Sequence, residues 1–324
     1  MRLRMKRWLL AAASLMAVAT AALAEDYPTH PVKFLVGYSP GGAPDTVARM
    51  LGQRLSQILK QPFVIENRPG AGGTLATTQT AKAAADGYTL LVADIGQLAI
   101  APYLFKELPY DPVKDFTPIG LAALAPMVLI SNAKTTNIKN LADLIRTAKA
   151  SPGTLNYASA GIGSIHHIAM EMFKSDAGLN ITHIPYKGSS QSVPALLGGE
   201  VQLALSGFTA VVPFAKTGQV NLLAVTSAKR FPDAPEVPSL SESYKGYDYA
   251  AEIGILGPAG LAPEIVSKLS GAMKTALEEP EIREKLNALG LLHSWLSPQD
   301  YAENIRQNLK KFKRAVEISH AAPG

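Results

Sequence analysis

The chain has 324 residues, with 31 Lys and Arg against 26 Asp and Glu, and it contains no cysteine. The lack of cysteine excludes disulfides, thiolate metal sites and a cysteine nucleophile. Four basic residues lie among the first seven positions, so the rest of the chain is nearly neutral, with 27 basic and 26 acidic side chains. Because no basic tract with interleaved aromatic residues occurs there, we predict no nucleic-acid partner.

Residues 1–24 are typical of a secretory signal. Basic positions precede an apolar run from Trp8 to Ala22, and the segment ends in the small-residue pattern Ala22-Leu23-Ala24. An uncleaved membrane anchor has a similar pattern, but this run is short and ends in alanines. We therefore expect cleavage near Ala24 and export to the periplasm as a soluble protein, because no further apolar run of 18 residues follows.

The rest of the chain alternates short, β-branched apolar runs with amphipathic or alanine-rich segments. This alternation is typical of βα units on a mostly parallel sheet, which places the fold in the α/β class. The first predicted helix carries Val47, Leu51, Leu55 and Ile58 on one face of a 3.6-residue period. The predicted strands are residues 32–36, 63–66, 89–93, 127–130, 155–158, 181–184, 201–205, 222–226 and 252–256.

Two irregular stretches predict that the chain passes twice between two lobes. The alternation breaks near residues 111–118, and the apolar run 119–130 is long enough to pass from one sheet to another. A second stretch, 229–249, contains three prolines and leads into the strand 252–256. Two crossings of this kind predict a hinge.

The predicted lobes follow from these crossings. Lobe 1 comprises residues 25–124 and 251–324, and lobe 2 comprises residues 125–250. Within the last part, residues 263–316 are predicted to form helices that pack back on lobe 1.

The turns between strands and helices are where we expect a ligand, because open parallel sheets bind ligands beyond the carboxyl ends of their strands. The first, Tyr38-Ser39-Pro40-Gly41-Gly42, precedes a helix whose N-terminus favours a carboxylate or a phosphate. Small polar turns follow at residues 69–74, 94–97, 159–164, 186–190 and 206–209. A single turn of this kind is explained equally well by a tight loop or helix cap and by ligand contact, but six of them, three in each lobe, predict one cavity.

The candidate ligand-binding residues lie in and beside these turns. They are Tyr38, Ser39, Pro40, Gly41, Gly42, Asp45, Gly72, Asp94 and Gln97 in lobe 1, Ser159, Gly163, Ser164, His166, Tyr186, Lys187 and Ser206 in lobe 2, and Glu252 on the return strand. No arginine clamp is evident, so we expect backbone amides, hydroxyls and water to hold the anion.

The histidine pair and the lysine among these candidates each have two interpretations. His166 and His167 have no partners at metal-ligand spacing, so we predict no metal site. We expect one of the two imidazoles to pack locally and the other to face the cleft. Lys187 either reaches an anion or is solvated.

Motifs along nearly the whole exported chain resemble a known family. They include Tyr27-Pro28, Pro40-Gly41-Gly42, Glu66-Asn67-Arg68-Pro69-Gly70-Ala71-Gly72-Gly73, Asp86-Gly87-Tyr88, Tyr110-Asp111-Pro112, Tyr157-Ala158-Ser159-Ala160-Gly161, Pro185-Tyr186-Lys187-Gly188 and Leu223-Ala224-Val225-Thr226-Ser227. In this order they resemble the Bug family, the extracytoplasmic solute receptors of tripartite tricarboxylate transporters. The resemblance implies a type II periplasmic binding protein with two Rossmann-like lobes joined by two crossover strands.

The resemblance also implies a function without chemistry. Such a receptor closes on a small carboxylated solute, for example a dicarboxylate, an aromatic carboxylate or an amino acid, and delivers it to membrane transporter subunits. The Pro40-Gly41-Gly42 turn is then expected to hold carboxylates partly through water, opposite the loop 159–167 and Tyr186-Lys187. We predict a monomer that needs no cofactor and is not an enzyme.

Three positions depart from the family pattern. Ser206 stands where the family often has Asp, Glu252 where it often has Trp, and His166 where Ser is frequent. Glu252 either forms a structural hydrogen bond or faces solvent, or it recognises an amine or ring N–H on the ligand. His166 is expected to widen or polarise the pocket, or to stack on an aromatic acid.

Two enzymatic alternatives remain at this stage. A secreted serine hydrolase would use Ser190, because Gly188-Ser189-Ser190-Gln191-Ser192 nearly matches G-x-S-x-G, with Asp248 and His293 downstream. The final Ser192 departs from that motif. A dinucleotide oxidoreductase would use Gly70-Ala71-Gly72-Gly73 with Asp94, but export argues against a nucleotide cofactor.

Overall fold

The computed structural model describes residues 27–186 and 188–321, so the predicted signal segment and Lys187 lie outside the described residues. The strands are Val32–Val36 (β1), Phe63–Asn67 (β2), Thr89–Asp94 (β3), Phe116–Ala125 (β4), Met127–Asn132 (β5), Asn156–Ser159 (β6), Thr182–Pro185 (β7), Leu203–Gly207 (β8), Val220–Val225 (β9), Ala251–Pro258 (β10) and Leu292–Leu296 (β11). The helices are Ala43–Leu59 (α1), Thr74–Ala81 (α2), Ala101–Leu104 (α3), Leu141–Ala150 (α4), Ile165–Ala177 (α5), Ser189–Gly198 (α6), Phe208–Lys216 (α7), Pro263–Glu278 (α8), Pro280–Ala288 (α9) and Pro298–Ser319 (α10). Within the two described stretches, no helix has both the length and the apolar character required to cross a bilayer.

Helix α1 begins directly after the first glycine turn. Val47, Leu51 and Leu55 are buried against the first sheet, which confirms the predicted apolar face. Pro44 fits the first turn because a proline there loses no intrahelical hydrogen bond. The helix therefore presents its N-terminus at the end of β1.

The strands form two mixed sheets. The first has the order β11-β4-β10-β3-β1-β2, and the second has the order β7-β6-β8-β5-β9. In each sheet the βα units pair in parallel, β1 with β2 and β3, and β6 with β7 and β8. Strands β10 and β5 pair antiparallel to their neighbours. The α/β class is confirmed, whereas the expectation of mostly parallel sheets is wrong, because the chain re-enters the first sheet from the other lobe.

The two crossings between the sheets lie side by side. Strand β4 belongs to the first sheet and β5 to the second, with Pro126 between them. Proline has no N–H for a ladder bond, so the apolar run 119–130 is divided into two strands there. On the return, β10 pairs antiparallel with β4, with Ala251 opposite Ala125. The chain therefore passes between the lobes at the paired ends of β4 and β10, both of which lie inside the first sheet, while the lobe limits remain a prediction.

The C-terminal part contains a strand as well as helices. Strand β11 pairs with β4 at the edge of the first sheet, although only helices were expected there. Helix α10 then contacts both lobes. Tyr301 and Ile305 pack with the core of the first sheet. Phe312 and Val316 pack in the same core as Phe173 of α5, so the last turns of α10 join the second lobe.

Candidate ligand-binding cleft

The first turn is held in place by a buried carboxylate. Asp45 lies in the first turn of α1 and is 2% exposed. The N–H of Gly41 donates a hydrogen bond to its Oδ2 at 2.9 Å, and Gly41 has a φ of 89°, a conformation that favours glycine. The Asp45 side chain thus folds back onto the turn. Ser39, Pro40, Gly41 and Gly42 remain exposed around it.

Two further side chains complete this carboxylate site. Arg49 donates to both oxygens of Asp45, at 2.9 Å each, and Asn67 Nδ2 donates to Oδ1 at 2.8 Å. Burial alone raises the pKa of Asp45, but the hydrogen bonds from Arg49, Gly41 and Asn67 outweigh it and lower the pKa below its usual value. Asn67 also donates to the carbonyl of Tyr38 at 3.0 Å. The structure therefore gives Asp45 a supporting role in the turn.

Tyr38 and Asp94 tie this turn to the end of β3. The hydroxyl of Tyr38 donates to Asp94 Oδ1 at 2.7 Å, and the N–H of Gly96 donates to the same oxygen at 2.9 Å. Burial raises the pKa of Asp94, although these hydrogen bonds oppose the shift. Tyr38 and Asp94 thus satisfy each other inside lobe 1.

Gln97 connects the third turn of lobe 1 to the first two. Its Oε1 accepts a hydrogen bond from the N–H of Asp94 at 3.0 Å, and its Nε2 donates to Thr77 Oγ1 at 2.8 Å and to the carbonyl of Gly73 at 3.2 Å. A Cβ on Gly37 would lie 2.6 Å from Gln97 Nε2. Gln97 is fully buried and acts as a strut between the turns. Gly72 lies at the exposed edge beside it.

The loop 159–164 of lobe 2 is closed by its own serines. Ser159 Oγ accepts a hydrogen bond from the N–H of Gly161 at 3.0 Å, and Ser164 Oγ donates to the carbonyl of Gly161 at 2.7 Å. Ser164 also caps helix α5, because its Oγ accepts from the N–H of His167 at 3.2 Å. Ser159 is fully buried, so its hydroxyl shapes the loop from behind.

Gly163 places this loop against lobe 1. A Cβ at Gly163 would lie 2.4 Å from Leu104 Cδ1, and Leu104 ends helix α3. The φ of 73° at Gly163 also favours glycine. The loop 159–164 is therefore in direct contact with the other lobe.

The two adjacent histidines differ in their surroundings. His167 is 5% exposed, and its Nδ1 accepts a hydrogen bond from the N–H of Gly163 at 3.2 Å. His166 is partly buried, and among the described residues its Nδ1 has no hydrogen-bond partner. Burial lowers the pKa of His166 to about 4, so its ring is neutral at physiological pH. His167 packs locally, and His166 carries the unsatisfied atom.

Ser206 is another buried polar group without a partner. It lies on β8 opposite Val128, is fully buried, and its Oγ finds no partner in the described part of the chain. Tyr186, at the end of β7, donates from its hydroxyl to Glu200 Oε2 at 3.2 Å. Their contact with a ligand stays a prediction.

Glu252 faces the C-terminal helix. Its Oε2 accepts a hydrogen bond from Asn308 Nδ2 at 2.8 Å, and burial raises its pKa, while nearby Lys311 opposes the shift. This geometry favours the structural interpretation of Glu252 over recognition of an amine. The Glu252 carboxylate therefore lies where β10 packs against α10.

The catalytic and metal alternatives gain no support from the geometry. Among the described residues, no hydrogen bond joins Ser190, Asp248 and His293 to one another; Asp248 instead accepts one from the N–H of Ala228 at 3.1 Å. In the same residues, no group of three or more His, Asp or Glu side chains is arranged to hold a metal ion. Sequence reasoning missed His183, Asn67 and Asn308, whose roles depend on partners distant in sequence.

Two α/β lobes joined by two adjacent crossings, with glycine- and serine-rich turns at the ends of their strands, define the class of two-lobed solute-binding proteins. The model of the tripartite tricarboxylate transporter family receptor, TctC, matches residues 47–320, and the chain belongs to this family. Similar solved structures include the periplasmic binding protein BugD, which is 32% identical with a TM-score of 0.78, and a protein described as a periplasmic transporter. The resemblance to Bug receptors is confirmed.

Three relatives illustrate the similarity. The chain is 35% identical to BugT of Bordetella pertussis over 306 residues, which cover 94% of each protein. It is 33% identical to R. palustris Rpa4515, solved with adipate, with a TM-score of 0.83 over 92% of this chain and 100% of the other. It is 31% identical to MatC of Rhodopseudomonas palustris, solved with bound malate, with a TM-score of 0.76 over 90% of this chain and 100% of the other.

Proposed function

We propose that this protein binds a small carboxylated solute between its lobes in the periplasm and delivers it to the membrane subunits of a tripartite tricarboxylate-type transporter. The observation that carries the proposal is the exposed turn at residues 39–42, held rigid from behind by the buried Asp45 carboxylate. Relatives with 31% and 33% identity hold malate and adipate, two dicarboxylates.

The first turn supplies the grip on a carboxylate. It lies at the N-terminus of the 17-residue helix α1, where backbone N–H groups and the helix dipole favour an anion. Gly42 precedes the helix in an extended conformation and offers no side-chain cap that would occupy these groups. Because Asp45 fixes Gly41, little ordering is required when the solute arrives.

The second lobe supplies the discrimination. The unpartnered Ser206 Oγ and His166 Nδ1 are polar atoms that a solute or a bridging water can satisfy. A second carboxylate, a hydroxyl or an aromatic ring of the solute would lie on this side. The remaining proposed contacts are Ser39, Pro40, Gly72, Gly163, Ser164, Tyr186 and Lys187. We propose that the other predicted contacts, whose polar atoms are already paired within the protein, support the cleft instead; they are Tyr38, Asp94, Gln97, Ser159 and Glu252.

Transport proceeds by closure about the two crossings between the lobes, which lie at the paired ends of β4 and β10. A solute that contacts both lobes binds the closed form better than the open form, so binding shifts the population toward closure. The closed receptor is what the membrane subunits would recognise. We propose that it acts as a monomer, with residues 1–24 removed on export.

A thermal-shift screen tests the function. Residues 25–324 are melted with monocarboxylates, dicarboxylates of increasing chain length, aromatic acids and amino acids, and the diamide of each dicarboxylate serves as the matched control. A solute at about 100 times its Kd adds about 2.7 kcal/mol to the free energy of unfolding. A carboxylate that raises the melting temperature while its diamide does not supports the proposal. No shift with any carboxylate contradicts it.

A further inference from the structure

A stack of three aromatic rings lies directly behind the loop 159–164. The ring centroids of Tyr157 and His183 are 4.8 Å apart, and those of His183 and His167 are 4.0 Å apart with an interplanar angle of 11°. The rings come from β6, β7 and α5, the three elements that surround the loop. The three stacked rings therefore pack beneath the loop and support it.

Each histidine of the stack holds one end of the loop. His183 Nε2 is hydrogen bonded to Ser159 Oγ at 2.6 Å. His167 Nδ1 accepts the N–H of Gly163 at 3.2 Å, so this nitrogen carries no proton and the His167 ring is neutral. Protonation of Nδ1 would place two donors against each other. The loop geometry thus depends on the neutral form of His167.

The charged groups around the stack do not favour imidazolium. Glu171 on α5 accepts from the Tyr157 hydroxyl at 2.6 Å and from Lys174 at 2.7 and 2.8 Å, so its charge is already paired. Burial lowers the pKa of His167 to about 4, and Lys174 adds to the shift. Burial lowers the pKa of His183 to about 4 as well; His167 and Lys174 add to this shift, and Glu171 opposes it.

Two other uses of the stack fail on geometry. The nitrogen lone pairs of an imidazole lie in the plane of its ring. In the parallel rings of His167 and His183, 4.0 Å apart, these lone pairs do not converge on one point, so a single metal ion cannot bind both rings. The contact of Ser159 with His183 has the distance of a nucleophile and its base, but among the described residues no carboxylate is hydrogen bonded to His183, so the group that would orient the base is missing.

We propose that His167 and His183 are positioning residues for the binding loop: their neutral, stacked rings fix Ser159 and Gly163 in the solute-binding conformation, and protonation of the stack releases the loop. This inference rests on the proposed function, because the loop matters through the solute that it faces. Gly163 of this loop contacts Leu104 of lobe 1, so release of the loop also weakens the contact between the two lobes.

Hydrogen exchange of the free receptor tests the positioning role without any solute. Exchange in a peptide spanning residues 159–167 is measured at pH 7 and pH 4 and corrected for intrinsic rates. We expect protection to fall at least tenfold at pH 4, because protonation of His167 Nδ1 removes the acceptor for the N–H of Gly163. The double variant His167→Asn/His183→Gln keeps a hydrogen-bonding amide at both positions but cannot titrate, so its protection should change less than twofold. His30→Gln, at an exposed position of the first lobe, should behave like the parent protein.

Adipate binding gives the second readout. At pH 7.5 we expect His167→Phe to weaken the affinity for adipate about tenfold, because the ring remains but the acceptor is lost, whereas His167→Asn stays within about twofold. If adipate does not bind the parent protein, adipate is not a solute of this receptor. The hydrogen-exchange experiment then decides the role of the stack without any solute. Equal affinities for the Phe and Asn variants, or an unchanged loss of protection at pH 4 in the double variant, would overturn the proposal. If the double variant does not fold, His183→Gln alone is compared with His183→Phe in the same exchange assay.

Discussion

Replacing Asp45 with alanine tests whether a buried carboxylate holds the carboxylate-binding turn. The side chain is 2% exposed and accepts from the N–H of Gly41, from Asn67 and from Arg49. Alanine removes every one of these acceptors. Gly41 is then free to leave its left-handed conformation, and the exposed turn loses its anchor.

The size of the effect follows from the partners. The hydrogen bonds from Gly41 and Asn67 to a charged acceptor are worth about 1.5–3 kcal/mol each. The Arg49 side chain is 54% exposed, so its share is only about 0.2–1 kcal/mol. Because water reaches the exposed turn, we take the low end and expect a loss of about 3 kcal/mol in the free energy of unfolding. For a chain of this size, that loss lowers the melting temperature by about 6 °C.

The affinity falls for a separate reason. Binding must now order at least one residue of the turn, at about 1–2 kcal/mol, so Kd should rise about 5- to 30-fold for every carboxylate that binds. Calorimetric titration and thermal melts of the parent protein, Asp45→Ala and Arg49→Gln give both quantities. Arg49→Gln is the matched control and should lose less than about 1 kcal/mol.

The pH dependence of this difference has a definite sign. The folded-state pKa of Asp45 lies below the unfolded value of 3.8, so its contribution is complete above that value and is lost as the pH falls through the folded-state pKa. The gap in melting temperature between the parent and Asp45→Ala should therefore narrow below about pH 4. The reasoning is refuted if the two variants lose equal stability, or if the gap widens in acid.

Three further variants probe the rest of the cleft. Ser206→Ala removes an unpaired buried hydroxyl and should raise the free energy of unfolding by about 1–3 kcal/mol, yet raise Kd for a solute from the screen about 5- to 160-fold; unchanged affinity removes Ser206 from the site. Gly37→Ala places a Cβ 2.6 Å from Gln97 Nε2 and should cost about 1–3 kcal/mol in a chemical denaturation series, whereas a neutral effect would show that the strut is not tightly packed. Glu252→Gln keeps an acceptor for Asn308, so competition between amine-bearing and plain carboxylates should be unaltered, and a changed preference would place Glu252 in the pocket.

Most of the fold was predictable because it depends on local patterns. Strands β1–β3 and β5–β10 and the apolar face of α1 follow from short-range periodicity. Strand β4 was predicted only as part of a crossing run, which a proline at residue 126 divides. The mixed pairing and β11 were missed because pairing partners are set by tertiary contacts, to which a short run such as Leu292–Leu296 gives no clue. The packing of the last turns of α10 on the other lobe was missed as well, because it also depends on tertiary contacts.

The site was predictable at the level of turns and less so at the level of atoms. Glycines and serines marked the loops correctly, since those turns require positive φ or caps. The direction in which a side chain points was not available from spacing. Asp45 folds back onto its own turn, and Glu252 faces α10, because partners 22 and 56 residues away supply their hydrogen bonds.

Within the turns that we propose to hold the solute, satisfied and unsatisfied polar side chains are divided between the two lobes, and this division would combine a general grip with selectivity. In lobe 1 the side chains of Asp45, Asp94 and Gln97 are saturated by internal partners, so a solute meets mainly backbone and gains the same interaction from any carboxylate. In lobe 2 the atoms Ser206 Oγ and His166 Nδ1 have no partner among the described residues. A buried polar atom left unsatisfied costs about 1–3 kcal/mol, and a solute or ordered water that supplies the missing hydrogen bond recovers it. Differences in affinity between carboxylates should therefore arise in lobe 2, and substitutions there should reorder the preferred solutes, whereas substitutions around Asp45 should weaken all of them alike.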